Sequence, residues 1–160
     1  MAKARGVTLA SHDDTTTEHV TEAKALGIVI SEFPTTMEAA GAARALGLGV
    51  VMGAPNIVRN GSNSGNVSAA AVARAGLLDM LASDYVPGSM LHAALRLNDE
   101  VGIPLPDAIA TVTRIPADQL GLSDRGRLAE GAEADVVRVL WTGETAVVRA
   151  VWREGCMVLA

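Results

Sequence analysis

Apolar and polar positions fall into alternating blocks over the first 125 residues. Short aliphatic runs at Val7–Ser11, Ile28–Ser31, Gly49–Gly53 and Leu77–Ala82 have strand length. Alanine-rich segments with helical spacing lie between them, predicting helices over Thr15–Leu26, Met37–Leu46, Ser68–Ala75, Ser89–Val101 and Pro106–Thr113. Thr15, Thr16 and Thr17, then Thr35 and Thr36, are N-cap candidates, and Gly27 and Gly47 follow the last helical residues. The stretch Ala54–Val67 is rich in Gly, Asn and Ser and is expected to be a loop. Strands alternating with helices in this way predict a parallel sheet with right-handed crossovers.

From Gly126 the pattern changes. Gly126–Asp135 is turn-rich, and Val136–Leu140, Ala146–Arg153 and Met157–Leu159 are three short β runs, the mark of an antiparallel module. The expected organisation is therefore α/β over residues 1–125 and part of a small β module over 126–160. Four βα units are half of the eight that a closed barrel of about 200 residues or more requires. The chain fits the C-terminal half of a (β/α)8 TIM-type barrel, strands five to eight. Half a barrel leaves unpaired sheet edges, so self-association as a homo-oligomer, or pairing with a missing N-terminal half, is expected.

Composition narrows the picture. At 49% hydrophobic residues, a 160-residue chain can bury a sizeable core, and with only Phe33, Tyr85, Trp141 and Trp152 aromatic that core must be aliphatic. Net charge is −5 with the signs scattered, so no basic face invites nucleic acid. No run reaches the roughly 18 apolar residues of a membrane span, and Met1–Gly6 lacks the apolar region of a secretory signal. Cys156 is the single cysteine, as suits a reducing cytoplasm, and is expected to be a small buried apolar group.

Several residues carry candidate chemistry. His12 follows an apolar strand and precedes Asp13 and Asp14. It suits a metal ligand whose tautomer a neighbouring carboxylate fixes, or a surface histidine beside acids that favour a helix start. Asp84 follows the fourth strand, either as a base accepting a proton from an activated water or as an N-cap before Pro87. Glu32 ends the second strand, as a further ligand or an ordinary strand-end carboxylate. The segment Arg59–Asn66 offers Gly61, Ser62, Asn63, Ser64 and Asn66 beside an arginine. Small residues let backbone N–H groups approach phosphate oxygens and arginine can pair with them through two bonds, although a turn-rich connection has the same composition. His19 is expected to face outward, and His92, Trp141 and Trp152 to pack.

Four motifs in order resemble a known family: Ala10–Thr16 (Ala-Ser-His-Asp-Asp-Thr-Thr), Ser31–Thr36 (Ser-Glu-Phe-Pro-Thr-Thr), Met52–Asn56 (Met-Gly-Ala-Pro-Asn) and Leu81–Pro87 (Leu-Ala-Ser-Asp-Tyr-Val-Pro). Together they resemble the phosphonate-metabolism hydrolases of the amidohydrolase superfamily. Gly126-x-Leu128-x-x-Gly131-x-x-Ala134-Asp135-Val136-Val137 is similar to the closing β module of that superfamily. The resemblance implies a metal-dependent hydrolase of a phosphoanhydride, releasing pyrophosphate from the phosphorylated sugar α-D-ribose 1-methylphosphonate 5-triphosphate. It also implies a divalent metal, expected to be zinc, with His12, Asp84 and Glu32 as metal-site residues. Asp84 would be the catalytic base, and Arg59, Gly61, Ser62, Asn63, Ser64 and Asn66 would bind substrate. Asn63 stands where that family's loop has histidine, and Ile115 departs from its Asn-Pro-Ala. The family's first-strand His-x-His has no counterpart here. The alternatives are another amidohydrolase cleaving a C–N bond, or a truncated copy without activity.

Overall fold

The computed structural model describes residues 5–61 and 65–160. Four short strands form a wholly parallel sheet in chain order: β1 (Ala10–His12), β2 (Ile30–Glu32), β3 (Gly49–Gly53) and β4 (Met80–Ala82). The register sets His12 beside Glu32 and Gly53 beside Ala82, so all four strands end on one side. The helices α1 (Thr17–Ala25), α2 (Met37–Ala45), α3 (Ala54–Val58) and α4 (Ala69–Arg74) lie in the connections. After β4 come α5 (Ser89–Arg96), α6 (Leu105–Ala110) and α7 (Arg114–Gln119). A second, antiparallel sheet joins β5 (Val136–Trp141), β6 (Ala146–Arg153) and β7 (Cys156–Leu159).

Capping explains where the helices begin. The hydroxyls of Thr16, Thr36 and Ser68 accept hydrogen bonds from the backbone N–H groups of His19, Ala39 and Ala71, satisfying donors that the first turn leaves orphaned. Glu18, in the first turn of α1, is held below the ordinary carboxylate range, first by its own backbone N–H and then by the Thr16 hydroxyl. The core is aliphatic as composition predicts. β3 is buried along its whole length, and Ala39, Ala43, Val50, Val72 and Leu97 are fully excluded from solvent. Small alanines on α2 and α4 let those helices approach the core closely, so packing depends on shape more than on large side chains.

Three departures from the sequence expectations have physical reasons. Ala54–Val58 is helical, not loop: Gly53 serves as N-cap and Pro55 sits in the first turn, where its missing N–H costs nothing. The segment after α5 widens into a π-turn over Leu97–Val101 and stops at Gly102, whose φ of 84° glycine adopts without strain. Cys156 is exposed, because β7 pairs with β6 on one side only and no layer covers it.

Helix α5 is tied to the second sheet by polar groups. His92 Nε2 accepts from the Ala146 N–H at 3.1 Å, and Trp141 Nε1 donates to Asp99 at 2.7 Å. His92 and Trp141 also meet edge to face, 5.9 Å apart. His92 is thus a fastening between sheet and helix as well as a packing residue. No helix among the described residues is long and apolar enough to cross a membrane.

Gly126 provides a test of the link between the two parts. Its φ is +80°, and an added Cβ would lie 2.8 Å from the Thr113 carbonyl oxygen and 2.9 Å from the Arg114 Cα. Neither obstacle is the movable end of a side chain. Gly126→Ala is expected to destabilise the fold by about 2–4 kcal/mol, combining left-handed strain with overpacking. Urea denaturation checks it, and a midpoint within error of wild type would show the turn to be dispensable.

Candidate active site

Because the sheet is parallel, the residues at the ends of its strands gather on one rim. His12 and Glu32 are the last residues of β1 and β2, and His12 Nε2 lies 4.0 Å from a Glu32 carboxylate oxygen. His12 Nδ1 is 3.2 Å from Asp13 Oδ2, and the ring meets Phe33 edge-on at 5.4 Å. With Nδ1 turned to Asp13, Nε2 is the nitrogen presented to Glu32.

The chain leaves the strands through left-handed turns. Asp13 (φ 58°), Phe33 (φ 54°) and Asp84 (φ 49°) all adopt a conformation that costs most residues energy. The ladder runs one residue past each of the first two strands, with Asp13 N–H bonded to the Glu32 carbonyl and Phe33 N–H to that of Val51. The turns therefore begin from anchored positions.

Beneath this rim lies a buried carboxylate that sequence reasoning assigned to a helix start. Asp14 is only 5% exposed, and one of its oxygens accepts hydrogen bonds from both the Ser11 hydroxyl (2.5 Å) and the Ser31 hydroxyl (2.6 Å). Ser11 precedes His12 and Ser31 precedes Glu32, so Asp14 clamps the two strands one residue below the donor pair. Its own carbonyl accepts from Thr35 N–H at 2.8 Å, which stitches the two strand-end loops together. Serines one step before His12 and Glu32, in otherwise apolar strands, were the signal available in the sequence.

Asp84 stands elsewhere. Asp84 follows β4, at the other edge of the sheet from β1, and shares a cleft with Asp13 and Phe33, the chain neighbours of His12 and Glu32, though not with those two residues themselves. It is exposed, and its carboxylate approaches the backbone at Gly53. There it lines a cleft of about 260 Å³ together with Arg59, Gly61, Asn66, Asp13 and Tyr85. Arg59 is the C-cap of α3, and its guanidinium contacts the Tyr85 hydroxyl and lies 5.4 Å from the centre of that ring. Ser62, Asn63 and Ser64 lie outside the described residues. His19 is exposed, as expected, and accepts a hydrogen bond from Thr15.

Two groupings result. One brings together an imidazole and a carboxylate, the other a carboxylate and an arginine in a concave space. Among the described residues no three of His, Cys, Asp and Glu converge as metal ligands. A catalytic zinc site takes three protein ligands and a water, so His12 and Glu32 are an incomplete set for it.

Comparison with known proteins adds sequence and fold relationships. The amidohydrolase family profile matches residues 2–155. The chain is similar to the alpha-D-ribose 1-methylphosphonate 5-triphosphate diphosphatase of Escherichia coli (strain K12), with 51% identity over 97% of this chain and 42% of the relative. A shorter match, 48% over 31% of the chain and 10% of the relative, is to the N-acyl-D-glutamate deacylase of Alcaligenes xylosoxydans xylosoxydans. Among solved structures, an amidohydrolase from Thermotoga maritima MSB8 superimposes with a TM-score of 0.72 at 21% identity, over 96% of this chain and 44% of that one. The chain thus spans less than half the length of each of these relatives.

Proposed function

Since the chain belongs to the amidohydrolase family, we propose that it is the part of a metal-dependent phosphoanhydride hydrolase that carries the proton acceptor and the phosphate-binding groups. The observation that carries this reading is the cleft lined by Asp84, Arg59, Gly61 and Asn66, at the carboxyl ends of parallel strands. That is the face on which (β/α) folds place their chemistry. The substrate we infer is a sugar triphosphate such as α-D-ribose 1-methylphosphonate 5-triphosphate, supported by the identity to the Escherichia coli diphosphatase.

The chemistry needs few groups from this chain. A water oxygen attacks the phosphorus next to the sugar, forming one P–O bond while the bond to pyrophosphate breaks. Pyrophosphate leaves with the electron pair, and the Asp84 carboxylate accepts the proton of the water. Arg59 holds non-bridging phosphate oxygens, whereas the expected donor at Gly61 is already committed, its N–H bonding to the Asn56 carbonyl at 3.0 Å. Members of the family are generally metal-dependent. Zinc is the ion we propose, because imidazole and carboxylate both suit it. His12 and Glu32 are an incomplete set for it, and no step is assigned to the ion here. Further ligands, and partners for the edge strands β1 and β4, we assign to the unmatched part of the relative's length or to a second copy. A chain whose one cysteine has no partner for an internal disulfide suits the cytoplasm.

Arg59→Ala tests the phosphate assignment in the chain complemented with that unmatched part. A hydrogen bond to a charged group contributes about 1.5–3 kcal/mol, so kcat/KM for the ribose triphosphate is expected to fall about 10- to 100-fold, mostly through KM. The alternative, cleavage of a C–N bond, is favoured by the match to the deacylase. It predicts turnover of an N-acyl amino acid that is indifferent to Arg59. Indifference of both substrates would sink the phosphate reading.

A further inference from the structure

The motif Met52–Asn56 (Met-Gly-Ala-Pro-Asn) carries the chain from the end of β3 into α3, and its last residue lines the cleft beside Asp84. Asn56 is held on every side. Its helix neighbours Ala54, Pro55 and Ile57 are buried. Its backbone carbonyl accepts from Gly61 N–H at 3.0 Å, and its side-chain carbonyl accepts from Ala69 N–H at 3.0 Å, tying α3 to the first residue of α4. The second bond also fixes which way the carboxamide faces. A backbone N–H can bond only to the oxygen of the amide, because the amide nitrogen is a donor alone. The NH2 of Asn56 is left as a pair of donors without a partner among the described residues. No side-chain nitrogen or oxygen of those residues is buried without a partner, so this NH2 is reached by solvent, and Asn56 meets solvent at the cleft.

We propose that Asn56 is a further substrate-binding residue, its NH2 donating to a phosphoryl oxygen of the bound anion while its carbonyl stays on Ala69. The proposal rests on the reading of the cleft as a phosphate site. A donor whose backbone and rotamer are already fixed gives up little further freedom on binding. It is also neutral. Asp13 and Asp84 line the same cleft, and a lysine or a second arginine there would pair with one of them and make the Asp84 carboxylate a weaker base. A carboxamide offers the anion a donor and leaves Asp84 able to accept a proton. It also supplies what the Gly61 N–H does not, since that group is spent on the Asn56 backbone carbonyl. Were Asn56 only a tether between two helices, its NH2 would have no task and an aspartate would hold Ala69 at least as well.

Two-dimensional proton–nitrogen NMR of the 160-residue chain during titration with inorganic tripolyphosphate tests this directly. The side-chain NH2 signals of Asn56 are identified by their disappearance in Asn56→Asp and Asn56→Ala, and in wild type they are expected to move downfield as the anion binds. Calorimetry is expected to show binding weakened about 10-fold in Asn56→Ala, which loses a hydrogen bond to a charged group. In Asn56→Asp, which sets a like charge beside the ligand, the loss is expected to be about 100-fold. Asn56→Asp keeps an acceptor for Ala69 N–H, so its urea midpoint should stay near that of wild type while that of Asn56→Ala falls. If wild type binds tripolyphosphate but the NH2 signals stay in place at saturation, or if either variant binds as tightly as wild type, the binding role of Asn56 is overturned and the phosphate site stands. If wild type does not bind, the phosphate reading itself fails and this inference with it.

Discussion

Asp84→Asn is expected to lower pyrophosphate release about 100- to 10,000-fold while leaving KM close to its wild-type value, since that is the range a positioned base contributes to a chemical step. The loss corresponds to roughly 2.7–5.5 kcal/mol of barrier. The amide keeps the size of the carboxylate and still accepts hydrogen bonds, so the cleft keeps its shape; what disappears is the ability to take a proton from water. The contrast with Arg59→Ala is the informative part. In the proposed reading Arg59 touches the anion in ground state and transition state alike, whereas Asp84 acts only as the water loses its proton, so one should appear in KM and the other in kcat. Steady-state kinetics on the complemented chain measures both. A fall in kcat of less than about threefold for Asp84→Asn would remove Asp84 from the chemistry.

The second large effect concerns stability. Asp14→Ala removes the acceptor shared by Ser11 and Ser31, and Ser31 has no exposed surface through which water could replace it. A buried donor left unmatched costs about 1–3 kcal/mol, and the lost bonds to a charged oxygen add to this, so a destabilisation of about 2–4 kcal/mol is expected. Asp14→Asn retains one carbonyl oxygen and should cost less. Ser31→Ala in the Asp14→Ala background should recover part of the loss, since it takes away the stranded hydroxyl. Strict additivity of the two substitutions in urea denaturation would show that the serines do not depend on Asp14.

The hydrophobic blocks were sufficient to foresee a parallel sheet followed by an antiparallel one, because strand-length aliphatic runs and threonine caps are local signals. β3 matches its expected bounds at Gly49–Gly53, and β6 does so at Ala146–Arg153. Strand starts were less legible. Val7–Leu9 is apolar enough for a strand, yet β1 begins only at Ala10, preceded by one bond from Val29 N–H to the Leu9 carbonyl. Helix α3 was hidden because Gly, Pro and Asn suggest a loop by composition, while helix geometry uses the first two as start signals.

At the site, strand-end position was enough to single out His12, Glu32 and Asp84, because a parallel sheet sends every strand end to one face. It could not say which of them meet. Asp84 was expected to share a metal site with His12; the strands that carry them are the two edges of the sheet, and the cleft that Asp84 lines reaches Asp13, the neighbour of His12. The roles of Asp14, and of Tyr85 as a wall of the cleft, were missed for a different reason. Their importance comes from partners far along the chain, and a buried carboxylate has the same letter as a solvated one.

The left-handed residues after the strands also bear on how this scaffold can diversify. Asp13, Phe33 and Asp84 each reverse the chain at a strand tip, and each is an L-residue in a region that β-branched side chains tolerate poorly. Glycine, asparagine or aspartate can replace them at little conformational cost, whereas valine or isoleucine cannot. A scaffold built on such turns can change its loop chemistry while keeping the three pivots. The repertoire of ligands and the geometry of the rim are then inherited separately.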